Sequence, residues 1–486
     1  MENSRNPNQK IVSGVFWKFG EQLFSQGVSF LVSLILARLL SPEDYGAVAV
    51  VNIFIEIANV LLISGLHSAL IQKREITREE TSTVFYCGLG LSALLYGAMF
   101  FAAPVIAEMY ALPVLVPVLR IFALRLPVAA IQSVQSAILS RELDFKKFFF
   151  STIGATVVSG VVGIAMALLG YGPWALVAQS LVTTVVGTLI LCFTVRWKPT
   201  RQFSLKAAKP LLRYGWKVMA TDLLGTLFNN LSAMIIGARY TPAELAYYTK
   251  GKQLPLLLRG NLYNTVIGVL FPAMSAVNDD VAAVKAVADR SIGMLSYIVF
   301  PLMIGMAAVS ENMVLVLLTE KWLGITAFVV IVCLESVISI VPTVSLQTLK
   351  ATGCSGIMLK LEFIKKPIVL VSTLISMGYG VTAMAWMLPL NTLMDLVVNS
   401  VYTKKVLNYG LAEQLRACLP ALVLSLVMGG AVCAVGLLEL PPLSMLVLQV
   451  LTGVAAYTGL SALFRVEAFN IALGILKSRI TQKRKK

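Results

Sequence analysis

The sequence has few charged residues and almost no histidine. Asp, Glu, Lys and Arg make up 13% of its 486 residues, and His67 is the single histidine. Because soluble domains carry about 25% charged residues, this chain has too little polar surface for a soluble fold. Its six cysteines form no CxxC pair. We therefore expect no disulfide, no metal site and no cofactor.

The sequence also lacks the motifs of ATP-driven pumps and of membrane enzymes. No GxxxxGK[ST] loop is present, which disfavours a primary pump. The polar connections are too short for a soluble catalytic domain, and no nucleophile–base pair is evident. We expect a protein that is not an enzyme. A membrane-embedded glycan polymerase is the less favoured alternative.

Long apolar stretches fill most of the chain. Hydrophobic residues make up 58% of the sequence, and the mean hydropathy is +0.83. About fourteen stretches of ~20 residues are each long enough to cross a hydrocarbon core of ~30 Å. These spans must be helices, because a backbone in lipid has to form its hydrogen bonds internally. The sequence predicts an all-α polytopic membrane protein with about fourteen transmembrane helices.

Lysine and arginine are distributed unevenly between the two sides of the predicted spans. The formal net charge is +16, and most Lys and Arg fall in segments on one side. Lys360, Lys365 and Lys366 are counted among them. Cytoplasmic connections attract Lys and Arg, so we expect both termini to be cytoplasmic. The net charge then reports topology and does not indicate a nucleic-acid partner.

Similar sequence patterns recur in the two halves of the chain. Residues 41–44 and 241–244 both read [ST]-P-x-[DE], which is typical of a helix start with a hydroxyl cap and an early proline. The pattern Pro-x4-Gln occurs at Pro127 and again at Pro342. Matches that recur in the same order indicate an internal duplication.

The duplication predicts a domain organisation. Residues 1–200 would form a first six-helix lobe, and residues 201–410 a second one parallel to it. Residues 411–486 would supply two extra C-terminal helices and a basic cytoplasmic tail. Two parallel six-helix lobes suggest that one lobe rocks against the other around a central site.

Several stretches resemble a known family. The first half contains LARLLSPEDYG, GLHSALIQK and LSRELDFKK, and the second contains GARYTPAELAYYTKGKQLP, VLFPAMS and LTEKWLG. These stretches resemble the polysaccharide transporter family of Wzx-type flippases, and in particular its colanic-acid and teichuronic-acid exporters. The resemblance covers most of the chain and weakens over the last two spans.

The resemblance implies the fold of the multidrug/oligosaccharidyl-lipid/polysaccharide superfamily. It implies an undecaprenyl-diphosphate-linked oligosaccharide as substrate, flipped to the periplasmic leaflet of a bacterial inner membrane through a cationic cavity. Membrane lipid, a polysaccharide polymerase and glycosyltransferases are the further expected partners. An ion-coupled drug exporter of the same superfamily is the alternative, although its cavity should be acidic or aromatic.

Ionisable residues inside the predicted spans are the candidates for a site, because an unpaired charge there costs at least ~2.5–3.5 kcal/mol on insertion scales. The candidates for binding the diphosphate and sugar are Arg125, Arg120, Lys18, Lys217, Lys250, Lys252 and Arg259. The candidates for ion or proton coupling are Glu56, Asp222, Glu335 and Asp395. The excess of cations suits an anionic diphosphate, whose oxygens arginine can bind in pairs.

Simpler roles for these residues remain open. Lysines near the end of a span can extend their ammonium groups to the interface. Arg125 can be a structural partner of Glu56, and each carboxylate can be a partner of a basic residue. The basic segment around Pro255 is either a kinked helix that lines a cavity or the start of a helix outside the membrane.

Overall fold

The computed structural model describes residues 7–73, 75–195, 197–277, 280–352, 355–466 and 469. These residues form helices and contain no β-strand. The α-helices are, in chain order, α1 (Pro7–Leu39), α2 (Pro42–Asn59), α3 (Gly65–Gln72), α4 (Arg78–Met109), α5 (Leu115–Phe122), α6 (Arg125–Glu142), α7 (Phe145–Leu168), α8 (Trp174–Thr194), α9 (Leu205–Arg239), α10 (Pro242–Ser275), α11 (Val281–Ala308), α12 (Ser310–Leu317), α13 (Thr326–Ile338), α14 (Ile340–Ala351), α15 (Ser355–Ser376), α16 (Val381–Leu407), α17 (Leu411–Val435) and α18 (Pro442–Leu463). A π-helical segment, Val60–Ser64, joins α2 to α3, and a 3₁₀ segment, Glu320–Ile325, precedes α13. The predicted basic tail, residues 470–486, lies outside the described residues.

Most of these helices are suited to a membrane. Within the described residues, twelve helical segments are long and apolar enough to cross a bilayer. Two further long helices, α9 and α15, coincide with predicted spans but are not among the twelve. Charged side chains in both helices, and amide side chains in α9, lower their mean hydropathy. The all-α membrane fold is therefore confirmed, and the number of fourteen spans stays a prediction.

The predicted helix starts at the two repeated motifs are confirmed. At the start of α2, the Ser41 hydroxyl accepts a hydrogen bond from the Asp44 backbone N–H at 3.2 Å, and the Asp44 carboxylate accepts one from the Ser41 N–H at 3.1 Å. At the start of α10, Thr241 and Glu244 exchange the same two bonds at 3.3 and 3.0 Å. Each pair satisfies N–H groups that have no partner inside the helix.

Both copies of the Pro-x4-Gln pattern lie just after a break in a helix. The first break, at residues 123–124, separates α5 from α6, and the second, at Ser339, separates α13 from α14. Pro127 and Pro342 are each the third residue of the helix that follows. Proline has no N–H to bond to the carbonyl four residues earlier, and that carbonyl lies at or beside the break. The duplicated pattern therefore encodes an interruption inside a span.

The chain divides by its internal packing into two compact units that meet inside α10, the first ending at Ala246 and the second beginning at Tyr247. In the first unit, α7 packs against α8 and α1, and α9 packs against α3 and α2. In the second unit, α11 packs against α17, which packs against α18. The division into lobes at residues 200 and 410 stays a prediction.

Two glycines set the closest approach between α3 and α9 in the first unit. A Cβ atom added to Gly65 would lie 2.6 Å from the carbonyl oxygen of Gly215, and one added to Gly215 would lie 2.7 Å from that of Gly65. The two backbones are thus in direct contact. This contact fixes which face of α9 is turned inward.

We predict that Gly65→Ala destabilises the protein by about 1–3 kcal/mol, because the added methyl group must push α9 away from α3. The measurement is thermal unfolding of the purified protein in detergent. Gly90→Ala in α4 is the matched control, since no atom lies within 4 Å of the added Cβ. The control should be neutral or stabilising, because alanine favours helix over glycine. Equal melting temperatures for the two variants would contradict the close contact.

Candidate functional site

A cavity of about 320 Å³ lies within the second unit and is lined by α10, α13, α14, α15 and α16. Its charged lining residues are three cations and three carboxylates: Arg259, Lys365, Lys366, Glu335, Glu362 and Asp395. We call it the charged cavity. It brings together three of the residues that the sequence indicated as candidates, namely Arg259, Glu335 and Asp395.

Arg259 and Glu335 form an ion pair in the charged cavity, between α10 and α13. Their side chains are 21% and 14% exposed, so both charges are largely withdrawn from solvent. The Thr392 hydroxyl on α16 donates a further hydrogen bond to the Glu335 carboxylate at 3.3 Å. The guanidinium also lies 3.4 Å from the Ser339 hydroxyl, at the break between α13 and α14. The pair therefore ties two helices, α10 and α16, to the interrupted span of α13 and α14.

Lys365 occupies the other side of the charged cavity. Its side chain is only 9% exposed, and its ammonium lies 3.1 Å from an oxygen of Asp395. The ammonium also donates to the side-chain oxygen of Asn399 at 2.6 Å. The Asn399 amide donates in turn to the carbonyl oxygen of Pro342 at 3.0 Å. A buried cation is thus held by α16, and α16 is held against α14.

In the sequence, Lys365 is counted among the charges of one membrane side. Lys365 lies ten residues into α15 and is buried rather than placed in a connection. Its position in the middle of a 22-residue helix is the signal that marks it as a site candidate. Because the positive charge of this region indicates topology in the sequence, Lys365 is absent from the candidates above, and the assignment of membrane sides stays a prediction.

Both acidic candidates of the second unit are paired with cations. Glu335 pairs with Arg259 and Asp395 pairs with Lys365. This is the structural partnership that the sequence left open beside a coupling role. Ion or proton coupling by these carboxylates stays a prediction.

The two acidic candidates of the first unit lie on a polar contact with α9. The Glu56 carboxylate on α2 accepts a hydrogen bond from the Asn230 amide at 3.1 Å. Asp222 accepts one from the Ser64 hydroxyl, at the end of the π-helical segment. Both carboxylates are exposed on the surface of the unit. α9 thus lies beside α2 with polar groups facing polar groups.

Arg125 is the first residue of α6, immediately after the break that follows α5. One guanidinium nitrogen donates to the Ser180 hydroxyl on α8 at 3.0 Å. The guanidinium also lies 5.3 Å from the centre of the Phe122 ring. Its Nε atom is buried and has no hydrogen-bond partner among the described residues. The described contacts include no ion pair between Arg125 and Glu56, so Arg125 retains a donor that its own unit does not use.

Arg120 and Lys18 make local contacts. Arg120 stacks on the Phe100 ring at 4.1 Å, and its Nε donates to the Phe100 carbonyl oxygen at 3.3 Å. Lys18 pairs with Glu21 at 2.6 Å on the same face of α1. Glu21 also accepts a hydrogen bond from Thr152 at 3.0 Å. Neither cation lines the charged cavity.

The remaining basic candidates lie on α9 and α10. Lys252 contacts Tyr248 one turn earlier, with 3.2 Å between the ammonium and the phenol oxygen. Lys250 is partly buried on the same helix. Lys217 is exposed on α9, beside other cations of that helix. The helix α10 is continuous through Pro255. Of the seven basic candidates, only Arg259 lines the charged cavity.

Comparison with known proteins identifies the family. Residues 35–327, which are more than half of the chain, match the family described as "Polysaccharide biosynthesis protein". The lipopolysaccharide biosynthesis protein WzxC of Escherichia coli (strain K12) is 25% identical over 439 residues, which are 87% of this chain and 88% of WzxC. The succinoglycan biosynthesis transport protein ExoT of Rhizobium meliloti (strain 1021) is 27% identical over 317 residues. That match covers 65% of this chain and 64% of ExoT, slightly under two thirds of its length.

A solved structure shares the fold. The lipid II flippase MurJ, in an inward closed conformation, superimposes with a TM-score of 0.73 over 93% of this chain and 98% of MurJ. The identity is 14%, so this likeness concerns the fold alone. Because the family match spans more than half of the sequence, we conclude that this multi-pass membrane protein belongs to the polysaccharide biosynthesis protein family, as its resemblance to polysaccharide exporters predicted.

Proposed function

We propose that the protein is a flippase for cell-surface polysaccharide biosynthesis. It moves an undecaprenyl-diphosphate-linked oligosaccharide from the cytoplasmic to the periplasmic face of a bacterial inner membrane by alternating access. The family match and the transport function in the name of ExoT support this proposal. Both termini are cytoplasmic in this scheme, as the distribution of Lys and Arg predicts. Glycosyltransferases supply the substrate and a polymerase removes it.

The observation that carries the proposal is the charged cavity with its paired cations. A phosphate, like a carboxylate, presents two oxygens that a guanidinium can bind side by side, so it can replace Glu335 on Arg259. In the empty carrier Glu335 acts as an internal counter-anion. In the loaded carrier the diphosphate takes its place. Arg259 is neutralised in both states, which avoids leaving a lone charge away from water.

The size of the charged cavity limits what it can hold. At about 320 Å³ it lies at the lower end of the range for small-molecule sites. Such a volume accepts a diphosphate but not a complete oligosaccharide with its polyprenyl chain. We therefore assign only the anionic head group to this cavity.

Displacement also gives the carboxylates a role in coupling. When the diphosphate binds Arg259, Glu335 loses its cationic partner and becomes able to take up a proton or a metal cation. Release of the substrate would then require that proton or cation to leave. Asp395 is a second candidate for the same role beside Lys365, and Glu56 and Asp222 are candidates in the first unit.

The drug-exporter alternative is less well supported. A cationic drug needs a carboxylate that is not already neutralised. In the charged cavity, Glu335 and Asp395 are each already paired with a cation. A membrane polymerase would need catalytic groups, whereas ExoT is named as a transport protein. We therefore propose transport without catalysis.

We predict opposite effects on binding from neutralising the two members of the central ion pair. Arg259→Gln should weaken binding of farnesyl diphosphate at least about tenfold, because charge-assisted hydrogen bonds contribute ~1.5–3 kcal/mol. Glu335→Gln should tighten binding, because the competing anion is gone, and should still reduce export. Binding is measured on the purified protein, and export as surface polysaccharide of a strain that depends on it.

The control for this prediction is Lys285→Gln, which removes an exposed ion pair with Glu413, 2.8 Å long, in the same unit. Exposed pairs contribute ~0–1 kcal/mol, so export should stay within about twofold of the unmodified protein. A purely structural ion pair would make Arg259→Gln and Glu335→Gln equally harmful to binding. That result would rule out the exchange of Glu335 for phosphate.

We predict that Arg125→Glu abolishes export while the protein still inserts in the membrane. Reversal of this charge removes a donor whose Nε has no partner among the described residues and repels an anionic substrate. The measurements are surface polysaccharide and the amount of protein in the membrane fraction. Arg416→Glu, an exposed residue of α17, is the control and should export normally. Normal polysaccharide in the Arg125→Glu strain would remove Arg125 from the site.

A further inference from the structure

Four cations form a stripe along the first half of α9. They are Lys206, Lys209, Arg213 and Lys217, spaced by three, four and four residues. At 3.6 residues per turn they point to one side of the helix. All four are exposed. We call them the α9 cation stripe.

The opposite face of the same turns is packed into the first unit. Ala208 and Leu211 are buried at 0% and 3% exposure, and Gly215 touches the backbone of Gly65. Because this contact leaves no room for a side chain, α9 cannot rotate about its axis without breaking it. The α9 cation stripe is therefore held facing away from the unit's own core.

The α9 cation stripe borders a groove of about 420 Å³ together with Pro210 and Tyr214. The four side chains form no ion pair or hydrogen bond with another residue in the described part of the chain. Arg259 and Lys365 of the charged cavity, in contrast, are both neutralised. Four cations without carboxylate partners in one groove create a positive field that attracts anions.

α9 is one of the predicted spans, and we place its cationic first half at the membrane surface because a charge without a partner is costly in the apolar core. With 35 residues the helix is ~52 Å long, about 20 Å longer than a hydrocarbon core of ~30 Å. The stripe itself extends ~16 Å along the axis. A head-group layer is only ~5–8 Å thick on each side. The four cations therefore lie at different depths, from the water to the edge of the apolar core.

This spread in depth distinguishes the phosphate of a resident phospholipid from the diphosphate of a substrate that enters the protein. The head group of a resident phospholipid stays within its layer and meets one or two of the cations. An anion that enters the protein meets them in sequence. Neighbouring cations are ~5–6 Å apart at their Cβ atoms, so a diphosphate can contact the next cation before it leaves the previous one. Exposed ion pairs are weak, which permits this movement.

We propose that the α9 cation stripe is a loading track for the diphosphate of the lipid-linked substrate. The track captures the head group at the cytoplasmic surface and passes it along α9 from one cation to the next. This inference rests on the proposed function, but it assigns Lys217 to capture rather than to the cavity where the substrate is held. It predicts an effect on the association rate, because steering by exposed charges acts on encounter.

The test measures binding kinetics of farnesyl diphosphate on the full-length protein in phosphatidylcholine nanodiscs by stopped-flow fluorescence. The triple variant Lys209→Gln, Arg213→Gln and Lys217→Gln should associate at least about tenfold more slowly at low salt, since steering raises association rates by 10–10³. Its rate should depend less on salt, and its dissociation rate should be unchanged. Arg259→Gln should instead raise the dissociation rate and leave association unchanged.

The matched control removes three exposed cations elsewhere, as Lys404→Gln, Lys405→Gln and Arg416→Gln, and should associate at the normal rate. Normal association in the stripe variant would overturn the loading track while leaving the charged cavity untouched. A second arm uses nanodiscs that contain phosphatidylglycerol. If the stripe variant loses only co-purifying phosphatidylglycerol and associates normally with the probe, the stripe holds a resident lipid and the proposal is wrong. If the unmodified protein does not distinguish farnesyl diphosphate from farnesol, both the proposed function and the track fail.

Discussion

A charge that leaves water must find a partner inside the protein, and this constraint organises the second unit. The ion pair of Arg259 with Glu335 joins α10 to α13, and that of Lys365 with Asp395 joins α15 to α16. Burial of apolar surface does not drive helices together in a bilayer, because lipid is as apolar as the side chains, so close packing and polar contacts select the helix neighbours. Specific charge pairs therefore contribute to choosing which helices meet. They also supply the paired carboxylate that a phosphate would replace in the proposed function.

The same constraint explains why α9 differs from its neighbours. Its first half carries cations that have no partners among the described residues, so that half must remain in contact with water. Its second half carries Asp222 and Asn230, which bond to Ser64 and Glu56. One helix thus combines a solvated segment with a segment whose polar groups are satisfied within the unit. This combination explains why α9, although it is long enough to span a membrane, is less apolar than the twelve candidate spans.

Features that depend on neighbouring residues along the chain were predictable, and features that depend on neighbouring helices were not. The caps at Ser41 and Thr241 follow from four consecutive residues, and both are observed. Lys365 shows the limit, because its burial is decided by Asp395 and Asn399 on α16. Helical periodicity indicates which residues share a face but not which helix that face meets. The sequence could therefore indicate Arg259, Glu335 and Asp395 as separate site candidates. The packing of five helices is what joins them in one cavity.

The two Pro-x4-Gln segments combine the same backbone break with different charges. When the two Pro-x4-Gln segments are aligned, the position seven residues before the proline is Arg120 in the first copy and Glu335 in the second. Both positions lie in the helix that ends at the break. Arg120 is satisfied by the ring and carbonyl of Phe100, whereas Glu335 needs a cation from another helix. The backbone interruption is present in both segments because proline imposes it. The charges differ because a break in a helix fixes where a side chain stands and does not fix its sign.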